Sequence, residues 1–170
     1  YSTENIVKEF FFFRIGEICM EIERKYLIDR LPFDVTAYPS HEIEQAYLNT
    51  EPVIRIRKED EKYYLTYKSK GLMAREEYNL PLNAESYAHL LQKADGNVLA
   101  KTRYKIPLGD HLTIEIDIFH GNFEGLILAE VEFPTIEEAE NFQPPEYFGR
   151  DVTFSTEYHN STLSQMQTKG

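Results

Sequence analysis

The 170-residue sequence lacks several features that whole classes of protein require. It has one cysteine, Cys19, so an intramolecular disulfide is excluded and a reducing compartment is favoured. Its most apolar stretch, "EFFFFRIGEICM", is interrupted by Arg14 and Glu17 and is shorter than the roughly 18 apolar residues of a membrane span. The flanking Lys8 and Glu9 do not fit a secretory signal. We therefore expect a cytoplasmic protein without a membrane partner.

Positive charge is also scarce. The chain has 18 Lys and Arg residues against 29 Asp and Glu residues, which gives a net charge of -11 at pH 7. A nucleic-acid-binding protein needs a basic surface that gains free energy from counterion release, so we expect no nucleic-acid partner. An anionic small molecule remains compatible only if the basic residues are gathered in one place, because the average field would repel it.

Common phosphate-binding and zinc-binding motifs are absent. The sequence has no GxxxxGK[ST] and no GxGxxG, so a glycine-rich loop before a helix cannot hold a phosphate. The five histidines, at positions 41, 89, 111, 120 and 159, show no ligand spacing, and a zinc site is not expected. We interpret His159, beside Tyr158, as a surface or helix-capping residue.

The chain length is typical of a single domain, and the start of that domain is marked by Met20. Residues 1–19 show neither sustained alternation nor helical spacing. We interpret 1–19 as an N-terminal leader outside the working domain, non-native or translated from an upstream start, and 20–170 as one domain. If the leader is native, the apolar run at 10–13 predicts a surface covered by a second copy, and hence a homodimer.

The remaining sequence is dominated by alternating apolar and polar residues, which predict β-strands. The strands are expected near 20–28, 42–49, 53–59, 62–70, 73–81, 97–108, 111–119 and 126–133. The links between most of them are too short for crossover helices, so the sheet is expected to be antiparallel. Helices are predicted at 83–94, with Asn83 as N-cap, at 135–142, with a Thr135–Glu138 capping box, and within 156–166. The fold class is therefore α+β and strand-dominated.

The charges on these strands are sorted by sign. The first strand carries Glu21, Glu23 and Lys25 on one face, because alternate side chains of a strand share a face. The segments "RIR", "KSK" and "KTRYK" are cationic, whereas "EID" and "EVE" are anionic. A solvated face usually mixes the two signs, since like charges on neighbouring strands repel each other. The segregation indicates that something of opposite charge lies between the clusters.

A closed eight-stranded barrel can enclose one small ligand, and charged inner faces with apolar outer faces would make the barrel inside-out. Paired carboxylates offer hard oxygen ligands that suit Mg²⁺ or Mn²⁺. Converging arginines and lysines suit a multiply charged phosphate. For any single strand, the alternative is a polar face that simply meets water.

The charged motifs resemble, in order, those of the CYTH domain, the core of the triphosphate tunnel metalloenzymes. Glu21-Ile22-Glu23-Arg24-Lys25 is similar to the ExExK signature that opens that domain. Two positions depart from the pattern: Asn79 stands where many members have a carboxylate, and Glu157 where a basic residue is common. The later matches are Arg55-Ile56-Arg57, Tyr64-Leu65-Thr66-Tyr67-Lys68, Arg75-Glu76-Glu77, Lys101-Thr102-Arg103-Tyr104, Glu115-Ile116-Asp117, Glu130-Val131-Glu132 and the tail "DVTFSTEYHNSTL".

The resemblance implies a closed tunnel of eight antiparallel strands with flanking helices, a triphosphate substrate and a divalent metal, Mg²⁺ or Mn²⁺. By position, Lys25 would place or deprotonate the attacking water, alone or with Lys101. The residues that would grip the triphosphate are Arg55, Arg57, Lys68, Lys101 and Arg103. Those that would hold metal are Glu21, Glu23, Glu130 and Glu132, with Glu77 and Asp117 supporting a second ion.

The expected activity is metal-dependent hydrolysis of inorganic tripolyphosphate to pyrophosphate and phosphate. Phosphoryl transfer depends on charge neutralisation and an in-line nucleophile, which a basic tunnel with bound metal supplies. The alternatives within the family are hydrolysis of thiamine triphosphate or nucleoside triphosphates and class IV adenylyl cyclase chemistry. Outside it, a polyphosphate-binding barrel without activity and a purely structural barrel remain open.

Overall fold

A computed structural model describes residues 19–167, so nearly all of the predicted leader lies outside the described residues. Within this range the model contains three α-helices, α1 (Ala84–Leu91), α2 (Ile136–Asn141) and α3 (Asn160–Gln165). The eight predicted strands are all present, with ends shifted by a few residues. They are β1 (Cys19–Leu27), β2 (Ser40–Thr50), β3 (Val53–Glu59), β4 (Lys62–Lys68), β5 (Ala74–Leu82), β6 (Asp95–Leu108), β7 (Leu112–Phe119) and β8 (Ile127–Glu132).

The strands form a closed antiparallel barrel, which confirms the predicted fold class. Their order around the barrel is β1-β5-β4-β3-β2-β6-β7-β8. Strand β1 closes the ring by changing partners along its length. Its first half, from Cys19 to Ile22, pairs with β5, and its second half, from Glu23 to Leu27, pairs with β8. The charged signature in the middle of β1 therefore lies where the two sides of the barrel meet.

The barrel is inside-out, with its largest apolar cluster on the outer face. Ile22 and Tyr26 alternate with the charged residues of β1 and pack against Ile116, Val131 and other outward residues. The segment 133–148, which includes α2, covers this cluster. A smaller outer cluster, Ala46, Ile56 and Tyr87, lies under α1. With the apolar side chains packed outside, the alternate polar side chains are directed into the barrel.

One end of the barrel is closed by the C-terminal segment. Leu163 of α3 packs with Leu99, Phe119, Leu128 and other buried residues. The Asn97 side-chain amide donates hydrogen bonds to the carbonyl oxygens of residues 163, 164 and 166 at 3.4, 3.2 and 2.7 Å. These bonds satisfy carbonyl groups that a helix end leaves unpaired. The segment is therefore fixed against β6 at this end.

The helix starts follow the predicted capping. The Asn83 Oδ1 accepts from the Ser86 backbone amide at 2.7 Å, and the Thr135 hydroxyl accepts from the Glu138 backbone amide at 3.2 Å. The predicted last helix is a short 3₁₀ turn, Thr156–Tyr158, followed by α3. No helix within residues 19–167 is long and apolar enough to cross a membrane.

Candidate active site

The barrel interior contains a cavity of about 160 Å³, here named the central cavity, whose walls are mostly charged. Six cationic and six acidic side chains line it. The cationic residues are Lys25, Arg55, Arg57, Lys68, Arg75 and Arg103, and the acidic residues are Glu21, Glu23, Glu77, Glu115, Glu130 and Glu132. Tyr47, Val53, His159, Asn160 and Ser161 complete the wall. The structure thus brings together all but two of the predicted site residues.

Glu21 is held as a carboxylate by two neighbouring cations. The Lys68 Nζ lies 2.7 Å from Glu21 Oε1 and 2.7 Å from Glu77 Oε2, and the Arg75 Nε lies 3.0 Å from Glu21 Oε2. Burial alone would raise the pKa of Glu21, but the charges of Lys68 and Arg75 outweigh it and lower the pKa from 4.5 to about 2. Glu21 is therefore ionised at any pH near neutrality.

This lowered pKa predicts a specific loss of stability in acid. The stability that Glu21 contributes is fully present above pH 4.5 and is lost as the pH falls towards 2. In metal-free protein, we expect the advantage of wild type over Glu21→Gln to shrink by about 2 kcal/mol between pH 7 and pH 3. Urea unfolding at both pH values measures this difference. An equal advantage at pH 7 and pH 3 would contradict the assignment.

Lys25 remains a cation in this arrangement. Its Nζ lies 2.8 Å from Glu130 Oε1 and 3.7 Å from Glu23 Oε1. Burial alone would lower the pKa of Lys25, but the charges of Glu130 and Glu23 outweigh it and raise the pKa above its ordinary value. A general base needs a pKa near the working pH. Two roles were predicted for Lys25, to place the attacking water or to deprotonate it. The contacts favour the first.

Lys101 and Asp117 are the two predicted site residues that do not line the central cavity. Both side chains are fully buried and form an ion pair with each other. The Arg103 Nε and Nη2 donate to the two Asp117 oxygens, each at 2.7 Å. The Lys101 Nζ lies 5.4 Å from the Phe119 ring centroid, beside the apolar end of the barrel. In this structure Asp117 supports Arg103 and is paired with Lys101. The predicted roles of Lys101 as a substrate or catalytic contact and of Asp117 as a metal ligand stay predictions.

Arg55 and Arg57 have few anionic partners: among residues 19–167, Arg55 has no carboxylate within 4 Å, and Arg57 has Glu59, whose Oε2 lies 3.7 Å from its Nη1. The Arg55 Nη2 donates to the Thr66 hydroxyl at 3.3 Å, and the Arg57 Nη2 donates to Gln45 Oε1 at 3.1 Å. Both Nε atoms are buried and have no hydrogen-bond partner among the described residues. Burial, then the charges of Arg55 and Arg103, lower the pKa of Arg57 from 12.5 to about 10. Two buried guanidinium groups in this state form a site for an anion.

The acidic residues that line the central cavity, here named the acidic wall, carry negative charge that nearby cations do not fully balance. Burial raises the pKa of Glu132, and the neighbouring charges of Glu21, Glu115, Glu23 and Glu77 raise it further. Burial is also the largest cause of the raised pKa of Glu23. Carboxylates that repel one another inside a cavity offer a site for a cation.

Several residues of the wall were missed in the sequence. Arg75 and Glu115 share strand faces with the predicted Glu77 and Asp117, so alternation alone could have added them. His159 is the N-cap residue of α3, in line with the predicted capping position, and it also lines the central cavity. Burial, then the charges of Lys25 and Arg75, lower its pKa to about 4, so its imidazole is neutral. Asn160 and Ser161 follow it, in a segment without strand alternation that could have shown their direction.

Comparison with known proteins identifies the family. The family model of the CYTH domain matches residues 20–168. The chain belongs to the CYTH domain family. It is similar to an inorganic triphosphatase of Nitrosomonas europaea, at 35% identity over 148 residues, covering 85% of this chain and 96% of the relative. An inorganic triphosphatase of Acetivibrio thermocellus is 34% identical over 150 residues, covering 84% of this chain and 92% of the relative.

A solved structure agrees with this assignment. The crystal structure of an inorganic triphosphatase superposes with a TM-score of 0.67 at 31% identity, covering 91% of this chain and 100% of that one.

CYTH triphosphatases in general depend on a divalent metal, and the acidic wall of this CYTH domain fits one. Its donors are carboxylate oxygens, the ligands that hard divalent cations prefer. Within residues 19–167, no three His, Cys, Asp or Glu side chains are arranged as a metal-binding group. Several of these carboxylates contact lysines and arginines instead: Lys68 holds Glu21 and Glu77, and Lys25 holds Glu130.

Proposed function

We propose that this CYTH domain hydrolyses inorganic tripolyphosphate to pyrophosphate and phosphate with Mg²⁺ or Mn²⁺. The observation that carries the proposal is the combination, in one small cavity, of Arg55 and Arg57, whose Nε atoms have no hydrogen-bond partner among the described residues, with Glu132, whose charge is opposed by neighbouring carboxylates. Such a cavity suits a polyanion and a divalent cation bound together. The relatives named inorganic triphosphatase, at 35% and 34% identity, support the choice of substrate.

The cationic residues divide into two sets by their present partners. Arg55 and Arg57 donate mainly to neutral groups and would contact the phosphate chain first. Lys68 and Arg103 are already paired with glutamates and would share their charge with phosphate oxygens. Buried Asp117 holds the Arg103 guanidinium in its orientation and is itself paired with Lys101. Preorganised donors of this kind stabilise the charge that spreads over the phosphoryl oxygens as the bond breaks.

Metal would be held by Glu21, Glu23, Glu130 and Glu132, with Glu77 at the edge of the same wall. When bound, the metal supplies charge neutralisation and polarises the phosphoryl group. The ion pairs of Glu21 with Lys68 and of Glu130 with Lys25 keep these carboxylates ionised and directed into the cavity. Lys25 remains an ammonium group and would hold a phosphate oxygen beside the attacked phosphorus.

The first test is a panel of substrates and metals. We expect purified protein to release phosphate from tripolyphosphate with Mg²⁺ or Mn²⁺ and to stop when EDTA removes the metal. Nucleoside triphosphates and thiamine triphosphate, at the same concentration, are expected to react more slowly because the charged cavity has room for little beyond the phosphate chain. Cleavage of another triphosphate without cleavage of tripolyphosphate would overturn the choice of substrate.

A second test separates an enzyme from a polyphosphate-binding barrel. Glu21→Ala is expected to lower turnover at least about a hundredfold, because a proposed metal ligand is removed. The arginines that bind phosphate remain in the variant, so it should still bind tripolyphosphate. Wild-type protein that binds tripolyphosphate but shows no turnover with either metal would support the binding barrel. Cytoplasmic location, the absence of a nucleic-acid partner and a homodimer stay predictions.

A further inference from the structure

The C-terminal segment contributes a neutral wall to an otherwise charged cavity. His159, Asn160 and Ser161 line the central cavity, whereas twelve of its other lining residues are charged. Burial is the largest cause of the lowered pKa of His159, and the charges of Lys25 and Arg75 lower it further. The neutral wall thus lies in the same cavity as Lys25 and Arg75. It adds hydrogen-bonding groups rather than charge to that cavity.

Asn160 has a buried oxygen atom that no group within residues 19–167 satisfies. Its Oδ1 is buried and has no hydrogen-bond partner among the described residues. Leaving a buried acceptor unpaired costs about 1 to 3 kcal/mol. A carbonyl oxygen accepts hydrogen bonds and repels phosphate oxygens, so the partner it calls for is a donor. In a cavity built for an anion, the donor that must also be present for hydrolysis is water.

A wider cavity gives water access to the same residues. This side cavity, of about 530 Å³, shares Val53, His159 and Ser161 with the central cavity. Its lining is otherwise neutral, including Pro52, Leu72, Thr162 and Gln165, apart from the ion pair of Glu51 with Lys70. The side cavity therefore lacks the free cations that would hold additional phosphates. It suits the entry of water to the part of the central cavity that His159 and Ser161 line.

The neutral wall is held rigidly, as a positioning group must be. The Val152 backbone amide donates to the Lys25 carbonyl oxygen at 2.8 Å, and the Lys25 amide donates to the Thr153 hydroxyl at 3.0 Å. The segment is thus bonded to β1 at the residue whose side chain enters the cavity. On its other side, Leu163 of α3 is anchored in the apolar end of the barrel. Rigid support of this kind keeps reacting groups at a fixed distance and orientation.

We propose that Asn160 positions the attacking water and that the phosphoryl group attacked is the terminal one bound beside Lys25. The inference rests on the proposed hydrolysis of tripolyphosphate. The water oxygen forms a bond to the terminal phosphorus, and the bond from that phosphorus to the bridging oxygen breaks. The electron pair leaves with pyrophosphate, and the proton released from water passes to solvent through the side cavity. Asn160 accepts a hydrogen bond from the water and fixes its approach in line with the leaving oxygen.

The test compares two variants that differ in the acceptor. Asn160→Leu has a similar size and no acceptor, and we expect kcat to fall about 10- to 100-fold with KM within about threefold. Asn160→Asp keeps the oxygen acceptor but loses the amide donor, and its kcat should stay within about tenfold of wild type. Asn122→Leu, the same substitution at an exposed asparagine that lines neither cavity, is the matched control and should leave both constants unchanged.

A binding measurement without turnover completes the test. In EDTA, the dissociation constant of tripolyphosphate from Asn160→Leu should lie within about threefold of wild type, because Asn160 does not hold phosphate. Unchanged kcat in Asn160→Leu overturns the proposal, and so does a weakened binding constant in both Asn160 variants. If Asn160→Leu does not fold, as thermal melting shows, Asn160→Ala replaces it. Wild-type protein that leaves tripolyphosphate intact would instead refute the proposed function, before any variant is compared.

Discussion

Replacing both Arg55 and Arg57 with methionine is expected to abolish hydrolysis and, at the same time, to make the protein more stable. We expect turnover of tripolyphosphate to fall at least about a thousandfold, the size of effect that a single arginine has on phosphoryl transfer. We also expect the free energy of unfolding of the ligand-free protein to rise by about 1 to 3 kcal/mol. The two effects have one cause, which is the burial of two positive charges that Glu59, 3.7 Å from Arg57, balances only in part.

The stability gain follows from the state of the two guanidinium groups. Burial and the charges of Arg55 and Arg103 lower the pKa of Arg57 from 12.5 to about 10, a difference that corresponds to roughly 3 kcal/mol against the charged form. At neutral pH the side chain is charged in both the folded and the unfolded chain, so the folded state carries this cost. Methionine is close in length to arginine without its charge, and it adapts to irregular space. The repulsion and the desolvation cost are then removed together.

Chemical unfolding and phosphate release, measured on the same preparations, check this prediction. Lys58→Met is the matched control, because Lys58 lies next to Arg57 on β3 but does not line the central cavity. It should leave turnover within about twofold of wild type. Added tripolyphosphate should raise the melting temperature of wild type and of the control but not of the double variant. A double variant that is less stable than wild type would show that the arginines are already balanced in the ligand-free protein.

The fold was largely predictable because the strands alternate between mostly apolar and mostly polar residues. In β7, for example, Ile114, Ile116 and Ile118 alternate with Glu115 and Asp117, and the structure confirms that strand. Turn residues set the hairpin links, which fixed the antiparallel direction. The order of the strands was not predictable, because β1 pairs with both β5 and β8 through contacts between residues far apart in sequence. No local pattern encodes such a register.

The site was predicted less completely, because alternation gives the face of a residue but not its depth along the barrel. Lys101 and Arg103 share a face of β6, yet Arg103 lines the central cavity and Lys101 does not. The difference arises from Phe119 and Leu128, which fill the barrel at the depth of Lys101. A sequence shows two equivalent cations at these positions. Only packing from neighbouring strands decides which of them can reach a ligand.

The neutral wall illustrates a second limit. His159, Asn160 and Ser161 belong to a short 3₁₀ turn and helix start, where neither period-2 nor period-3.6 spacing indicates a direction. Their place in the site depends on hydrogen bonds between residues 152–153 and Lys25. These bonds join parts of the chain about 130 residues apart, as the Lys25 amide and Thr153 hydroxyl show. The motif around Lys25 therefore predicts only one side of the site that it forms.

Replacing Glu132 with glutamine is expected to weaken the stabilisation of the protein by divalent metal. The pKa of Glu132 is raised by burial and by Glu21, Glu115 and other carboxylates, so its charge is unfavourable without a cation nearby. In metal-free protein, Glu132→Gln should therefore be at least as stable as wild type. Saturating Mg²⁺ or Mn²⁺ should raise the melting temperature of wild type, and that of the variant much less. The reason is that a ligand bound to the native state stabilises it by mass action.

Turnover should fall at least about a hundredfold in Glu132→Gln at metal concentrations that saturate wild type. Part of the loss should be recovered at higher metal concentration, because the remaining carboxylates still offer oxygen ligands. Glu146→Gln is the control, since Glu146 is exposed and lies outside the central cavity. Retention of the full metal-dependent rise in melting temperature by Glu132→Gln would place the cation elsewhere. In that case protonation of Glu132, rather than metal binding, would relieve the repulsion from the neighbouring carboxylates.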